Sequence, residues 1–134
     1  MEAKLQGLSP ILWTKNLEET KNFYETLLAF KATTQFPDFV SLFRDEVQIM
    51  FVVPQDEPED CKEPDSPEFF PKPTLTGSIY IYIDNVDNLW EQVKNKAVVK
   101  SAIADRAYQM RDFSILDNNG YELVFGKDIS KKEK

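Results

Sequence analysis

Apolar and polar positions follow two rhythms along this chain. Near the start, Leu8 to Trp13 is an apolar stretch of strand length. Asn16-Leu17-Glu18-Glu19 follows. Asn suits a helix N-cap, and Glu three residues later completes a capping-box-like signal. Leu17, Phe23, Tyr24, Leu27 and Leu28 then recur at helical spacing, which predicts a helix ending near residue 28. Three strands are expected next, Phe30 to Phe36, Phe39 to Phe43 and Val47 to Val53. Pro37-Asp38 and Arg44-Asp45-Glu46 separate them as turns.

The second half repeats this order. Ser78 to Ile83 alternates Ser, Ile, Tyr, Ile, Tyr, Ile, which is the period-two pattern of a strand. Asn85 takes the cap position before a helix carrying Val86, Leu89, Trp90 and Val93. Strands are expected over Val98 to Ile103, Tyr108 to Leu116 and Tyr121 to Phe125. Asp117-Asn118-Asn119-Gly120 forms the turn before the last, with Gly able to take positive φ. Asn16 and Asn85 lie 69 residues apart, and at that offset Leu12 matches Ile81 and Leu17 matches Val86. Val47 to Phe51 matches Tyr121 to Phe125 at an offset of 74. Each half is thus strand, helix, strand, strand, strand. The expected organisation is one domain over residues 1–134, with module 1 at 8–53 and module 2 at 77–126.

Between the modules, residues 54–73 hold six of the eight prolines. Seven carboxylates stand there against two lysines, a net charge of −5. Proline removes backbone donors and like charges repel, so a long connector is expected, neither helix nor central strand. Phe69 and Phe70 near its end suggest a docking point.

Composition narrows the chemistry. Sixteen Lys and Arg against 23 Asp and Glu leave a net charge of −7, which disfavours nucleic acid as a partner. No stretch approaches the ~18 consecutive apolar residues of a membrane span. Met1 to Gly7 lacks the apolar core of a signal peptide, so a cytoplasmic location is expected. The single cysteine, Cys61, cannot form an internal disulfide and sits among acids that lower its reactivity. The chain has no histidine. That removes the commonest metal ligand and neutral-pH base, and with it Ser–His and Cys–His nucleophile activation. Gly77, Gly120 and Gly126 are isolated, so no glycine-rich nucleotide loop is present.

Several segments in order resemble the vicinal oxygen chelate superfamily, which includes glyoxalase I, extradiol dioxygenases and bleomycin-resistance proteins. They are Asn16-Leu17-Glu18 leading to Phe23-Tyr24, Leu27-Leu28-Ala29-Phe30, Tyr108 to Phe113, and Asp117 to Tyr121. The resemblance covers nearly the whole chain. It implies an α+β fold of two βαβββ modules, with curved mixed sheets around a ligand cup and helices outside. Metal-dependent members hold their ion at four places. Carried onto this chain, those places are Ser9, Met50, Ser78 and Val124. Catalytic metals prefer imidazole or carboxylate, so no metal cofactor is expected. Glu122, two residues from Val124 on the same strand face, is the one nearby carboxylate, and Gln48 is its ready partner.

The metal-free bleomycin-resistance type is the nearest match. It implies non-catalytic binding or sequestration of a small aromatic or cationic compound, a homodimer, and a role in antibiotic resistance. A metal-dependent lyase, isomerase or dioxygenase is the alternative, and a regulatory protein acting through a dimer surface is a third. Strand alternation points Ile79, Ile81 and Ile83 at the helices, with Phe113 and Ile115 as core. The expected ligand-binding residues are then Trp13, Met50, Tyr80, Tyr82, Tyr108, Met110, Asp112 and Glu122. An aromatic, sulfur-bearing wall suits a flat or amphipathic ligand, and Asp112 and Glu122 would favour a cation. Arg111 is expected to have a structural role.

Overall fold

The computed structural model describes residues 3–54 and 75–130. From residue 55 on, the acidic connector lies outside the described residues, and with it Cys61, Phe69 and Phe70. The fold is α+β, with two βαβββ modules. The first contains β1 (Ile11–Trp13), α1 (Leu17–Leu28), β2 (Lys31–Phe36), β3 (Phe39–Arg44) and β4 (Val47–Val52). The second contains β5 (Ile79–Tyr82), α2 (Val86–Val93), β6 (Val98–Asp105), β7 (Met110–Leu116) and β8 (Glu122–Asp128). The chain divides into two compact units, each built on its own sheet, with Thr26–Leu28 of α1 grouping with the second. The sheets share one plan, β1-β4-β3-β2 and β5-β8-β7-β6. In each, the first strand pairs in parallel with the last, and the other pairs are antiparallel. No helix among the described residues is long and apolar enough to cross a membrane.

Both helices start where asparagine caps them. The Asn16 side chain accepts from the Glu19 N–H at 2.9 Å, and that of Asn85 from the Asn88 N–H at 3.1 Å. Each satisfies a backbone donor that has no partner inside the helix. α1 ends at Ala29, whose φ of 59° is left-handed and turns the Phe30 N–H back onto the Tyr24 carbonyl at 3.0 Å.

In the first unit, Leu12, Phe51 and Val40 align across β1, β4 and β3, and Ile49 stands beside Leu42. All five are buried. The Tyr24 ring of α1 closes on this face, 5.3 Å from Phe51 and 5.5 Å from Phe30. In the second unit, Phe113 and Ile115 align with Phe125 and Leu123. Trp90 of α2 lies 5.1 Å from Phe113, and Phe113 lies 5.5 Å from Phe125. Each fully buried ring adds about 2–3 kcal/mol relative to exposure. In each unit one sheet face is therefore sealed by a helix. The period-two alternation puts Ile11, Trp13, Gln48 and Met50 on the other face of the first sheet. It puts Tyr80, Tyr82, Asp112, Ser114, Glu122 and Val124 on the other face of the second.

Several boundaries differ from the sequence expectation. β1 starts at Ile11 because Pro10 has no N–H and contributes only its carbonyl, to the Met50 N–H at 3.0 Å. β7 starts at Met110, two residues late. Gln109 takes φ of 67°, and the Arg106–Met110 segment closes as a turn with Arg106 N–H on the Met110 carbonyl at 2.7 Å. Tyr108 is accordingly a turn residue and no part of the strand. β8 runs on to Asp128, so Gly126 lies inside a strand. The expected turn before β8 is present. Gly120 has φ of 92°, and Asp117 Oδ1 accepts from the N–H groups of Asn119 and Tyr121 at 2.9 Å.

Candidate functional site

The face of the second sheet away from α2 carries a tightly connected polar cluster, centred on Asp112. Its residue is 2% exposed. Such a carboxylate needs partners, because burial of an unpaired charge is costly. It has three donors. Tyr108 donates its hydroxyl to Oδ2 at 2.6 Å, and Tyr80 donates to the same oxygen at 2.8 Å. Arg106 donates Nε–H to Oδ1 at 2.8 Å. The Arg106 guanidinium is itself fixed by bonds from Nη2 to the carbonyls of Ala102 at 2.8 Å and Asp112 at 3.2 Å.

The topology explains this convergence. Asp112 on β7 stands opposite Gly126 on β8, and β5 runs along the far side of β8. The Tyr80 ring must cross β8 to reach Asp112. It crosses over Gly126, where a Cβ would run into its hydroxyl, Cζ and Cε1 atoms. Glycine is required here by close approach. Arg106 and Tyr108 arrive from the β6–β7 turn, and the kink at Gln109 folds that turn back toward Asp112.

The electrostatics follow. Burial raises the Asp112 pKa, but hydrogen bonds from Tyr108, Arg106 and Tyr80 outweigh it and hold the carboxyl below its ordinary value. Burial and the bond to Asp112 push the Tyr80 phenol up. The bond to Asp112, then burial, does the same to Tyr108. Both tyrosines thus stay protonated donors at neutral pH.

Beside this cluster the aromatic wall opens to solvent. The Tyr80 and Tyr82 rings meet at 5.3 Å and 54°, and Tyr82 is 76% exposed. Tyr82, Ile83, Asp84, Gly126, Lys127 and Asp128 line an open depression of about 370 Å³.

Of the expected residues, Tyr80, Tyr82, Tyr108 and Asp112 come together. Met110 lies at the end of β7, opposite Asp128. Glu122 shares the face but pairs with Lys100 at 3.4 Å. Trp13 and Met50 share the open face of the first sheet. Asp112 and Glu122, the carboxylates expected to favour a cation, are paired with Arg106 and Lys100. Arg111 does tie structure together, bonding Asp87 at 2.8 Å and Asp105 at 2.9 Å. Arg106 was not expected at a site, and Gly126 figured only as an isolated glycine. The signal for Arg106 was a cation six residues before an acid, in the gap between two expected strands.

The four positions carried over for a metal do not fit one. Ser9 donates to Gln48 Oε1 at 2.6 Å, and Gln48 Nε2 donates to Ser41 at 2.8 Å, which is a closed neutral chain. Val124 is buried and aliphatic, Ser78 is exposed, and Met50 offers only a thioether. Among the described residues, no three His, Cys, Asp or Glu gather as a metal site.

One group on the face is unmatched. Ser114 is 2% exposed, and its Oγ has no hydrogen-bond partner among the described residues. A buried hydroxyl without a partner is costly. Ser114→Ala is therefore expected to be neutral or to stabilise by up to ~1 kcal/mol in urea denaturation.

Comparison with known proteins fits this architecture. The chain resembles a glyoxalase/bleomycin resistance protein/dioxygenase from Alicyclobacillus acidocaldarius, with TM-score 0.70 and 17% identity over 97% of this chain and 96% of that one. A lactoylglutathione lyase from Agrobacterium tumefaciens gives TM-score 0.67 and 15% identity over 94% and 96%. TioX from Micromonospora sp. ML1 gives 0.70 and 12% over 92% and 98%. At such identities these likenesses establish the fold alone. No curated protein matches the sequence. The Glyoxalase family model, described as the Glyoxalase/Bleomycin resistance protein/Dioxygenase superfamily, matches residues 7–125. Together with the duplicated βαβββ plan, that match places the chain in the glyoxalase/bleomycin resistance protein/dioxygenase superfamily.

Proposed function

We propose that this protein binds and sequesters a small aromatic or cationic organic compound without transforming it. The observation that carries this reading is the aromatic wall of Tyr80 and Tyr82, pinned by Asp112 and bordering an open depression of about 370 Å³. Tyr80 is held by its bond to Asp112, and the exposed Tyr82 ring packs against it, an arrangement that suits ligand stacking. The donor chemistry at Ser9, Met50, Ser78 and Val124 supports a binding role over metal catalysis. A homodimer belongs to the same reading, and light scattering in solution tests it.

The experiment is a thermal-shift screen of the full chain with cationic aromatic drugs and, separately, divalent metals. A ligand that binds only the folded state at 100 times its Kd stabilises by about 2.7 kcal/mol. The expected result is a raised Tm with at least one organic compound and none with metals. A metal-induced shift that disappears in Glu122→Ala would instead favour the metal-dependent alternative.

A further inference from the structure

The placement of charge around the wall identifies which compounds it selects. This inference rests on the binding role above and adds the ligand's electronic class. Asp112 cannot receive a cation directly. It is buried, and its two oxygens already accept from Arg106, Tyr80 and Tyr108. Its influence passes through the phenols. A hydroxyl that donates to a carboxylate becomes more electron-rich, because bonds in such a chain polarise one another. An electron-rich ring presents a more negative face. Tyr80 carries that effect to the open side, where Tyr82 packs against it at 5.3 Å. The depression at Tyr82 also has more acid than base in its lining, Asp84 and Asp128 against Lys127.

We infer that the Tyr80–Tyr82 pair, polarised by Asp112, is the receptor face for a planar, electron-poor cationic ring system. Such a ring gains twice on this surface. It stacks on electron-rich phenols, and its positive charge lies over their negative faces. A compact ammonium gains only the second contribution. A neutral electron-rich ring gains neither beyond its area. Asp112 acts here as a positioning and polarising residue that never touches the ligand.

Three probes separate these cases on the full chain: 10-methylacridinium, 2-naphthol and tetramethylammonium. Binding is followed by quenching of the 10-methylacridinium or 2-naphthol fluorescence, and by absorption at wavelengths beyond those of free acridinium. 10-Methylacridinium is expected to bind about tenfold tighter than 2-naphthol, with a new long-wavelength charge-transfer shoulder. Tetramethylammonium should leave it bound. Tyr82→Leu should abolish the shoulder. Tyr80→Phe keeps the ring and loses only the hydroxyl. It should weaken binding about threefold and move the shoulder to shorter wavelength, which a merely structural role would not do.

Equal binding of 2-naphthol, or displacement by tetramethylammonium, overturns the selection for electron-poor rings. An unchanged shoulder in Tyr80→Phe overturns the role of Asp112. If none of the three probes binds while another compound raises Tm, the inference fails and the binding role stands. If nothing in the wider screen raises Tm, both fail.

Discussion

Asp112→Ala lowers the stability of the folded chain by about 3 kcal/mol, measured by urea denaturation at neutral pH. The size follows from what the substitution strands. Arg106 keeps its charge but loses its carboxylate, and the hydroxyls of Tyr80 and Tyr108 lose their acceptor. Breaking a fully buried ion pair costs roughly 3–5 kcal/mol. The lower end applies because the Arg106 side chain is 27% exposed and can recover some hydration. The same group makes stability depend on acid. Hydrogen bonds hold the folded Asp112 pKa below its ordinary 3.8. Its contribution is therefore complete above about 4 and is lost as pH falls through the lowered folded value. Below pH 4 the native chain should lose stability faster than Asp112→Asn. Parallel acid titrations of the two would contradict this account of the cluster.

Gly126→Ala is expected to cost about 2 kcal/mol at this buried strand position. The added methyl group would occupy the space through which the Tyr80 ring passes. The backbone cannot yield easily, since Gly126 is paired on both sides, with Tyr82 and Asp112. Tyr80 must swing out, losing its bond to a charged acceptor, an interaction worth roughly 1.5–3 kcal/mol. The test is a double-mutant cycle in denaturant. In a Tyr80→Ala background the Gly126→Ala cost should fall nearly to zero, because the colliding ring is gone. A cost unchanged by that background would mean that Gly126 serves the strand and not the tyrosine. Gly126→Ala should also remove the acridinium shoulder expected of the native protein, with its secondary structure intact by circular dichroism.

The contrast between these sites and the helix caps shows what could be read from residues alone. Asn16 and Asn85 announced both helices because a cap acts over three residues, and both are observed. Alternation placed Tyr80, Tyr82, Asp112 and Glu122 on one face, since side-chain direction in a strand depends only on parity. Parity could not show which of these side chains touch. Asp112 and Glu122 looked equivalent as open carboxylates, yet one is buried under three donors and the other pairs loosely with Lys100. Tyr108 was expected within β7 and reaches Asp112 from a turn instead, because Gln109 leaves extended backbone.

The sequence by itself determined the duplicated βαβββ plan, the sealed face of each sheet and the neutral residues at the family's metal positions. Those properties are local, being set by spacing, capping and residue type. Only the tertiary structure decided that Tyr80 reaches across Gly126 to Asp112 and that Arg106 closes the cluster. That outcome depends on the strand order β5-β8-β7-β6, which brings residues 32 positions apart within hydrogen-bond distance. No periodicity along the chain encodes such a neighbour, since pairing across strands is set by the packing of the whole sheet.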